Sequence, residues 1–596
     1  MKVAKAARFL FALAAKLDRR RLIGAMLIML AGYSAAPLAA LSLAVFADDL
    51  IGRRGQAALA AALLAAAFLV IQLMGGHFSH LCSGRLYEHQ LAALNIELIE
   101  IVGRPPGIEH LDDPEFADQI DLIRNSLFGT AQALESLFSL TGLALQTAIT
   151  ISILIRIDPW LAFMPAFAVP AMLLGKHAQT ISETARLRCA EGIRLNRHFV
   201  VLATSISTAK ELRLFGAEAE ILRRQETLWD GVTNRMWRAQ AAAAALRSLG
   251  QLIFTLGAAG TVLLTVRLAQ ERQMTIGSLL LVIILLIQVN AQMAMALTQL
   301  SVLQAAGGTA ERITRLRRVC RARTAVATRR TATITSPLAG GITLDDVSFA
   351  YPGSSELVLD RVSLDMPAGH TIALVGENGA GKSTLAKLLC GLYSPTSGKI
   401  LIDGVDLADV APDEWRAQVA AMFQDFARLE FVTRETIGLG ELPLLSDERA
   451  IARAVSRARA DKVVAHIPGG LDGVVGHNYK QGADLSGGQW QILALARCLM
   501  REHPLLLVLD EPAAALDATA EHELFERYAC SAKCAAVQLG GVTVLITHRF
   551  STVLMADRIA VLERGRIREY GSHQRLIADN ALYAELYRLQ EQAHRS

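Results

Sequence analysis

Six stretches of this chain carry no Lys, Arg, Asp or Glu: Leu22–Ala47, Gly55–Gly76, Ser136–Ile155, Trp160–Gly175, Ser248–Val266 and Gln273–Ala310. Hydrocarbon leaves no water to satisfy a backbone N–H or C=O, so such stretches cross it as helices of about 20 residues. Most of the six reach that length. The fourth is short and needs its flanks, and the sixth is long enough to continue as a helix beyond the membrane. The chain is 52% hydrophobic and only 19% charged, too apolar for an ordinary soluble protein.

Connections between the spans alternate in length. The segments 77–135 and 176–247 are long and polar. The second carries Arg186, Arg188, Arg194, Arg197, Lys210, Arg213, Arg223, Arg224, Arg235 and Arg238. Basic residues gather on the cytoplasmic side. This predicts a multi-pass protein of the cytoplasmic (inner) membrane with both termini inside. Met1–Arg21 is basic, and Leu10, Leu13, Ala14 and Leu17 recur at helical spacing, which predicts an amphipathic helix lying on the inner leaflet. A signal peptide ending at Ala12-Leu13-Ala14 is the alternative, but Arg8 breaks its apolar region. Within the spans, Gln146, Thr147, Thr150, Gln288, Asn290, Gln292 and Gln299 need a partner or water. They serve either as interhelical hydrogen bonds or as a substrate pathway. No charge sits mid-span, so a proton relay is not expected.

The arginine-rich run Glu311–Arg330 suits anionic lipid at the membrane surface. The net charge of +4 makes no case for a nucleic-acid partner. The seven cysteines include no C-x-x-C pair, and Cys530 and Cys534 read as ordinary thiols. Alternation in Gly341–Phe349 marks a strand and the start of a soluble domain.

That domain carries chemistry. Ile372–Val375 reads as a buried strand that runs into Gly376-Glu377-Asn378-Gly379-Ala380-Gly381-Lys382-Ser383-Thr384, the phosphate-binding P-loop spacing. Glycines let backbone N–H groups close around a polyphosphate, and the following helix N-terminus adds further donors. Lys382 reaches the β- and γ-phosphates, and the Ser383 hydroxyl suits Mg²⁺. Tyr351 is placed to stack on adenine or, failing that, to fill the core. Gln424 follows a short strand and could reach the metal and the γ-phosphate. Leu485-Ser486-Gly487-Gly488-Gln489-Trp490 offers N–H groups just before a helix expected over Gln491–Met500, a second anion site. Leu505–Glu511 is a buried strand ending in two acids: Asp510 suits Mg²⁺ and Glu511 suits activation of the attacking water. Ala515-Leu516-Asp517 follows. Val542–Thr547 is a further strand, with His548 at its end.

In this order, the P-loop, Gln424, Ser486–Gln489, Asp510-Glu511 and His548 resemble the ATP-binding cassette (ABC) exporters, over nearly the whole chain. The resemblance implies an α-helical transmembrane domain of six spans fused to an α/β P-loop NTPase. The domains would be 1–318 (membrane), 319–338 (linker) and 339–596 (cassette), with coupling segments near 110–118 and 209–217. It also implies ATP and Mg²⁺ as cofactors, Glu511 and His548 as catalytic residues, and a homodimer with a second copy of the chain. Each of two ATP molecules would meet one subunit's P-loop and the other's Ser486–Gly488. An ATP-gated channel or regulatory subunit is the rival, but it predicts a degenerate acid or signature, and both are intact. A soluble ABC protein is excluded by the spans. The substrate could be a peptide, an amphipathic drug or, in a flippase, a membrane lipid. Trp490, where multidrug exporters carry arginine, and Phe423–Phe431 resemble exporters of peptide antibiotics. Lys480-Gln481-Gly482 lacks the glutamate expected before the signature. There is no room before the first span for a leader-cleaving protease domain, so peptide maturation is not expected.

Overall fold

Apolar helix-forming sequence accounts for the first half of the chain. The computed structural model describes residues 2–272, 275–327, 330, 332–512 and 540–595; Ala515–Asp517, Cys530 and Cys534 lie outside them. The described residues form two units, one of Met1–Ile99 with Asp121–Arg315 and one of Glu100–Ile120 with Leu316–Ser596.

In the first unit α1 (Lys2–Leu17) precedes α2 (Arg19–Ile51), α3 (Gly55–Gly103), α4 (Pro114–Ile157), α5 (Ala168–Arg188), α6 (Ala190–Thr204), α7 (Ile206–Leu214), α8 (Glu218–Arg272) and α9 (Ile276–Ala327). Six helical segments among these are long and apolar enough to cross a membrane. The fourth takes its missing length from both flanks. Asp158 caps a 3₁₀ segment, Pro159–Phe167, by accepting from the Trp160 N–H at 2.9 Å, and α5 carries on to Arg188. Prolines 159 and 165 lack the N–H donors a regular helix would use there. At the α2–α3 crossing, a Cβ on Gly75 would come 3.1 Å from the Gly32 Cα, so glycine permits the close approach.

Two expectations change. Part of the apolar stripe of α1 is covered by protein: Leu10 and Ala14 are buried against Leu22, Ala25, Leu86 and Ala133, and the Gln90 side chain donates to the Leu10 carbonyl, while Leu17 stays exposed. Protein contact takes the Leu10–Ala14 portion of the surface expected to meet the bilayer. The stretch 319–338 is helical as far as Ala327, because Ile313, Leu316 and Cys320 continue a buried helical stripe. Several span polar groups bond between helices. The Gln288 amide donates to the Ala36 carbonyl (3.0 Å), the Thr147 hydroxyl to Gln292 Oε1 (3.0 Å) and the Gln251 amide to Asn290 Oδ1 (3.0 Å). These bonds satisfy one end of each amide; Gln288 Oε1, Gln292 Nε2 and the Thr150 hydroxyl are buried with no hydrogen-bond partner among the described residues.

The second unit holds two sheets. Strands β1 (Gly341–Phe349), β2 (Leu359–Pro367), β4 (Ser397–Ile402) and β5 (Val405–Asp406) form an antiparallel sheet in the order β2-β1-β4-β5. The other sheet runs β10-β9-β3-β8-β7-β6, with β3 (Thr371–Val375), β6 (Val419–Met422), β7 (Leu506–Asp510), β8 (Val542–Ile546), β9 (Arg558–Glu563) and β10 (Arg566–Gly571). All neighbours in it are parallel except β9–β10. The central strands are apolar throughout, as burial on both faces requires. Helix α10 (Lys382–Leu389) follows β3, and α11 (Pro412–Ala417) precedes β6. Helices α12 (Thr433–Gly438), α13 (Glu448–Arg457), α14 (Asp461–His466) and α15 (Gly487–Cys498) stand between β6 and β7, around a separate apolar core that includes Trp490 and Leu493.

Candidate nucleotide site

Register brings the chemistry together. Leu374 of β3 and Asp510 of β7 both pair with Ile546 of β8, so three parallel strands finish at one edge of the sheet. Loops leaving the carboxyl ends of parallel strands build ligand sites. Here those ends deliver the P-loop, Asp510-Glu511 and His548.

The P-loop glycines are sterically required. Gly376 has φ +153°, and a Cβ there would lie 2.1 Å from the Leu562 carbonyl oxygen; Gly381, at φ +103°, caps α10 in the left-handed region. Glu377, Asn378 and Gly379 are exposed and Ala380 is buried. The Lys382 ammonium curls back to donate to the Gly376 and Glu377 carbonyls, both at 2.8 Å. Burial lowers its pKa, partly offset by the charges of Glu511 and Asp510. Asp510 is buried, and burial raises its pKa; the Ser383 side chain, which hydrogen-bonds to it, pulls the other way.

Glu511 is the centre of the cluster. His548 Nε2 is 2.9 Å from its Oε1. The Gln424 amide donates to its Oε2 at 2.9 Å. Glu511 itself has φ +50°, an uncommon conformation for a residue with a Cβ. Its N–H donates to the Ile546 carbonyl (2.9 Å), and its carbonyl accepts from the Gln491 amide (2.7 Å). Gln491 was not singled out by the sequence, where a buried helical glutamine carries no signal. Lys387 of α10 lies 3.9 Å from Asp425, beside Gln424.

The Tyr351 hydroxyl lies 2.9 Å from Thr384 Oγ1, and its ring meets Phe349 and Tyr393 edge-on. Ser486–Gln489 differ from expectation. The helix begins at Gly487 rather than Gln491, because Ser486 and Gln489 form a capping box: the Gln489 N–H donates to Ser486 Oγ (3.3 Å) and the Ser486 N–H to Gln489 Oε1 (2.8 Å). The Ser486 N–H is therefore taken. Among the described residues the N–H groups of Gly487 and Gly488 have no acceptor. Trp490 is 5% exposed and belongs to the α12–α15 core. Near Lys480-Gln481-Gly482, the Glu430 carboxylate accepts from the Asn478 side chain at 2.6 Å.

These residues suit a nucleotide polyphosphate and a divalent ion. The glycine cradle admits phosphate oxygens where side chains would clash. Among the described residues no three His, Cys, Asp or Glu side chains gather as a metal cage. Ser383 and Asp510 could instead supply the few oxygen donors that Mg²⁺ takes from protein when phosphates and water supply the rest.

A family model described as "ABC transporter" matches residues 359–514. The subtilin transport ATP-binding protein of Bacillus subtilis is 36% identical over 245 residues, 41% of this chain and 39% of that protein. An ATP-dependent lipid A-core flippase of Alcanivorax borkumensis is 38% identical over 259 residues, 44% of this chain and 42% of that protein. Another flippase so named, from Chromobacterium violaceum, is 39% identical over 251 residues, 42% of this chain and 41% of that protein. The matches thus span about two fifths of these relatives' length. A solved structure of a bacterial Atm1-family ABC exporter with ATP bound aligns with a TM-score of 0.76 and 26% identity, over 96% of this chain and 99% of that one. Six apolar helices followed by an ABC-transporter cassette, in the fold of a solved ABC exporter, give the chain the architecture of a multi-pass ABC exporter half-transporter.

Proposed function

We propose that the chain is an ATP-driven exporter of the cytoplasmic membrane, with its cassette in the cytosol, working as a homodimer on an amphipathic peptide, drug or lipid. The observation that carries this reading is the convergence of His548 and Gln424 on the two carboxylate oxygens of Glu511, one residue beyond Asp510.

The residues divide the labour. Gly376–Thr384 wrap the phosphates, with Lys382 moving from its carbonyl partners to the β- and γ-phosphates, and Tyr351 packs against adenine. Ser383, Asp510 and Gln424 would hold Mg²⁺, which in such sites neutralises charge on the phosphate oxygens. Glu511 takes a proton from the attacking water, and His548 fixes its orientation and meets the γ-phosphate. Gly487 and Gly488 supply the second anion site, with Ser486 and Gln489 shaping the helix start.

A second copy supplies what one chain lacks. No hydrogen bond joins the P-loop to Ser486–Gln489 among the described residues, and the free N–H groups of Gly487 and Gly488 suit a γ-phosphate held by another subunit. In the 176–247 segment, Ile206, Leu214 and Phe215 stand 77%, 78% and 74% exposed, apolar surface fit for a partner's cassette. Switching a two-state protein from 1:99 to 99:1 needs about 5.5 kcal/mol of differential binding, within reach of two shared ATP sites.

The test is ATPase activity of the full chain in lipid nanodiscs, against cyclised and linear hydrophobic peptides, drugs and lipid A-type glycolipids. Stimulation by a member of one class identifies the substrate. ATP hydrolysis that no amphiphile changes, with no transport into vesicles, would overturn the export reading.

A further inference from the structure

Glu511 must hold its carboxylate in one place to act on a water, yet its own backbone does not favour the conformation that puts it there. Its φ of +50° lies in the left-handed region, and Pro512 follows it. A residue with a Cβ rarely adopts that region, and a residue before proline prefers extended backbone. Such a conformation persists only where its surroundings hold it. On one side the Glu511 N–H donates to the Ile546 carbonyl at 2.9 Å, beside the Asp510–Ile546 pairing of β7 on β8. On the other side Pro512 has no N–H to offer, and the Glu511 carbonyl needs a donor from elsewhere in the fold.

Among the described residues that donor is Gln491. Its Nε2 lies 2.7 Å from the Glu511 carbonyl oxygen. A carbonyl oxygen only accepts, so the amide nitrogen is the atom that faces it. Gln491 is 8% exposed and stands in the second turn of α15. The helix is fixed against the strands that carry the site: Leu493, Ala494 and Leu495 share one buried core with Leu509 of β7 and Leu545 of β8. Two nearby glutamines thus divide their tasks, Gln489 closing the capping box and Gln491 reaching Glu511. At its other end α15 starts at Gly487, where a Cβ would meet open space. The helix that opens the second anion site also carries the group bonded to the base.

We propose that Gln491 is a positioning residue for hydrolysis. By holding the peptide unit between Glu511 and Pro512, it keeps Glu511 in its left-handed conformation, with the carboxylate between His548 and Gln424. Without that bond the backbone relaxes towards the extended region and the carboxylate leaves the place where it meets water. The proposal rests on the ATP-site reading above, with Glu511 as the base.

The test is steady-state ATPase and equilibrium nucleotide binding of the full chain in lipid nanodiscs. Gln491→Met keeps the length of the side chain and removes the donor. Gln491→Asn keeps the amide but draws it back by one methylene, with less disturbance of the core. In both variants kcat is expected to fall about tenfold or more, since a reacting group misplaced by about 1 Å costs up to ~10²-fold. KM for ATP should stay within about twofold, because the phosphate contacts are untouched. The decisive comparison is made in the Glu511→Gln background. A group that acts only through the base has nothing left to position there. Adding Gln491→Met to Glu511→Gln should therefore change the residual turnover by less than about twofold. A helix merely weakened by the substitution would lower turnover by the same factor in both backgrounds. That result, or a kcat within about twofold of the parent in variants that bind nucleotide normally, would overturn the positioning role. A parent that binds no nucleotide, or a Glu511→Gln variant that hydrolyses ATP at the parental rate, would overturn the ATP-site reading first, and the positioning role with it.

Discussion

Glu511 Oε1 and His548 Nε2 lie 2.9 Å apart, at the ends of the neighbouring parallel strands β7 and β8. The pair ties a base placed one residue past a buried metal-type carboxylate to an imidazole that can orient it. Glu511→Gln removes the base and keeps the shape. Nucleotide binding is expected to persist while turnover falls at least ~10²-fold, the usual contribution of a positioned base. Steady-state ATPase and equilibrium nucleotide binding on the same preparation check this; near-parental hydrolysis would remove Glu511 from the role.

His548→Ala removes the orienting contact and a donor to the transferring phosphate. Loss of one preorganised donor lowers turnover by about 10²-fold. KM for ATP should move far less than kcat, because the P-loop carries most of the binding. A rise in KM at unchanged kcat would make His548 a binding residue.

Asp510 yields a stability prediction of definite sign. Burial raises its pKa, so the folded state holds the proton more tightly than the unfolded chain does. Its contribution to folding is therefore favourable at low pH. It weakens as pH rises from the ordinary carboxylate range through the raised value, and ionised Asp510 opposes folding above that. At neutral pH, Asp510→Asn should raise the nucleotide-free melting temperature by about 2–4 °C, equivalent to ~1 kcal/mol in a domain of this size, while abolishing Mg²⁺-dependent hydrolysis. Melting curves between pH 4 and 8 (~1-unit steps suffice) should show the variant gaining on the parent as pH rises. The opposite trend would mean that Lys382 outweighs burial.

The shared-site dimer is tested by complementation. Lys382→Ala removes the phosphate-binding charge, and Ser486→Arg blocks the start of α15 and removes its cap. Either homodimer carries one defective half in both sites, and its vanadate-trapped nucleotide should be near zero. A mixed dimer places both defects in one site and leaves the other whole, so trapping should recover towards one site per dimer. Purified mixed dimers that trap no more than the homodimers would rule out sites shared between two copies.

Trp490 separates packing from recognition. Trp490→Ala opens a cavity in the α12–α15 core and should cost about 3–5 kcal/mol of cassette stability. The rank order of substrates in the stimulation assay should stay unchanged. A changed rank order would restore Trp490 as a specificity trait.

The sequence by itself determined much of this protein. Charge-free stretches allow little but helices in a bilayer, and the spacing of Gly376, Gly379, Gly381 and Lys382 permits little but a phosphate cradle. Both are local constraints, written in consecutive residues. The order of P-loop, Gln424, Ser486–Gln489, Asp510-Glu511 and His548 was legible for the same reason. Only the tertiary structure decided what lay between distant residues. It covered Leu10 and Ala14 of α1 with protein, buried Trp490 in a core, closed the Ser486 N–H into a capping box and turned Gln424 onto Glu511. Gln491 and Tyr393 carried no signal, and Glu430 was marked only by its segment, because a glutamine, an acid or a tyrosine acquires its partner only when elements far apart in the chain are packed together. Pattern encodes what a segment can bury, whereas a single hydrogen bond or ring contact depends on register and approach, which the whole fold sets.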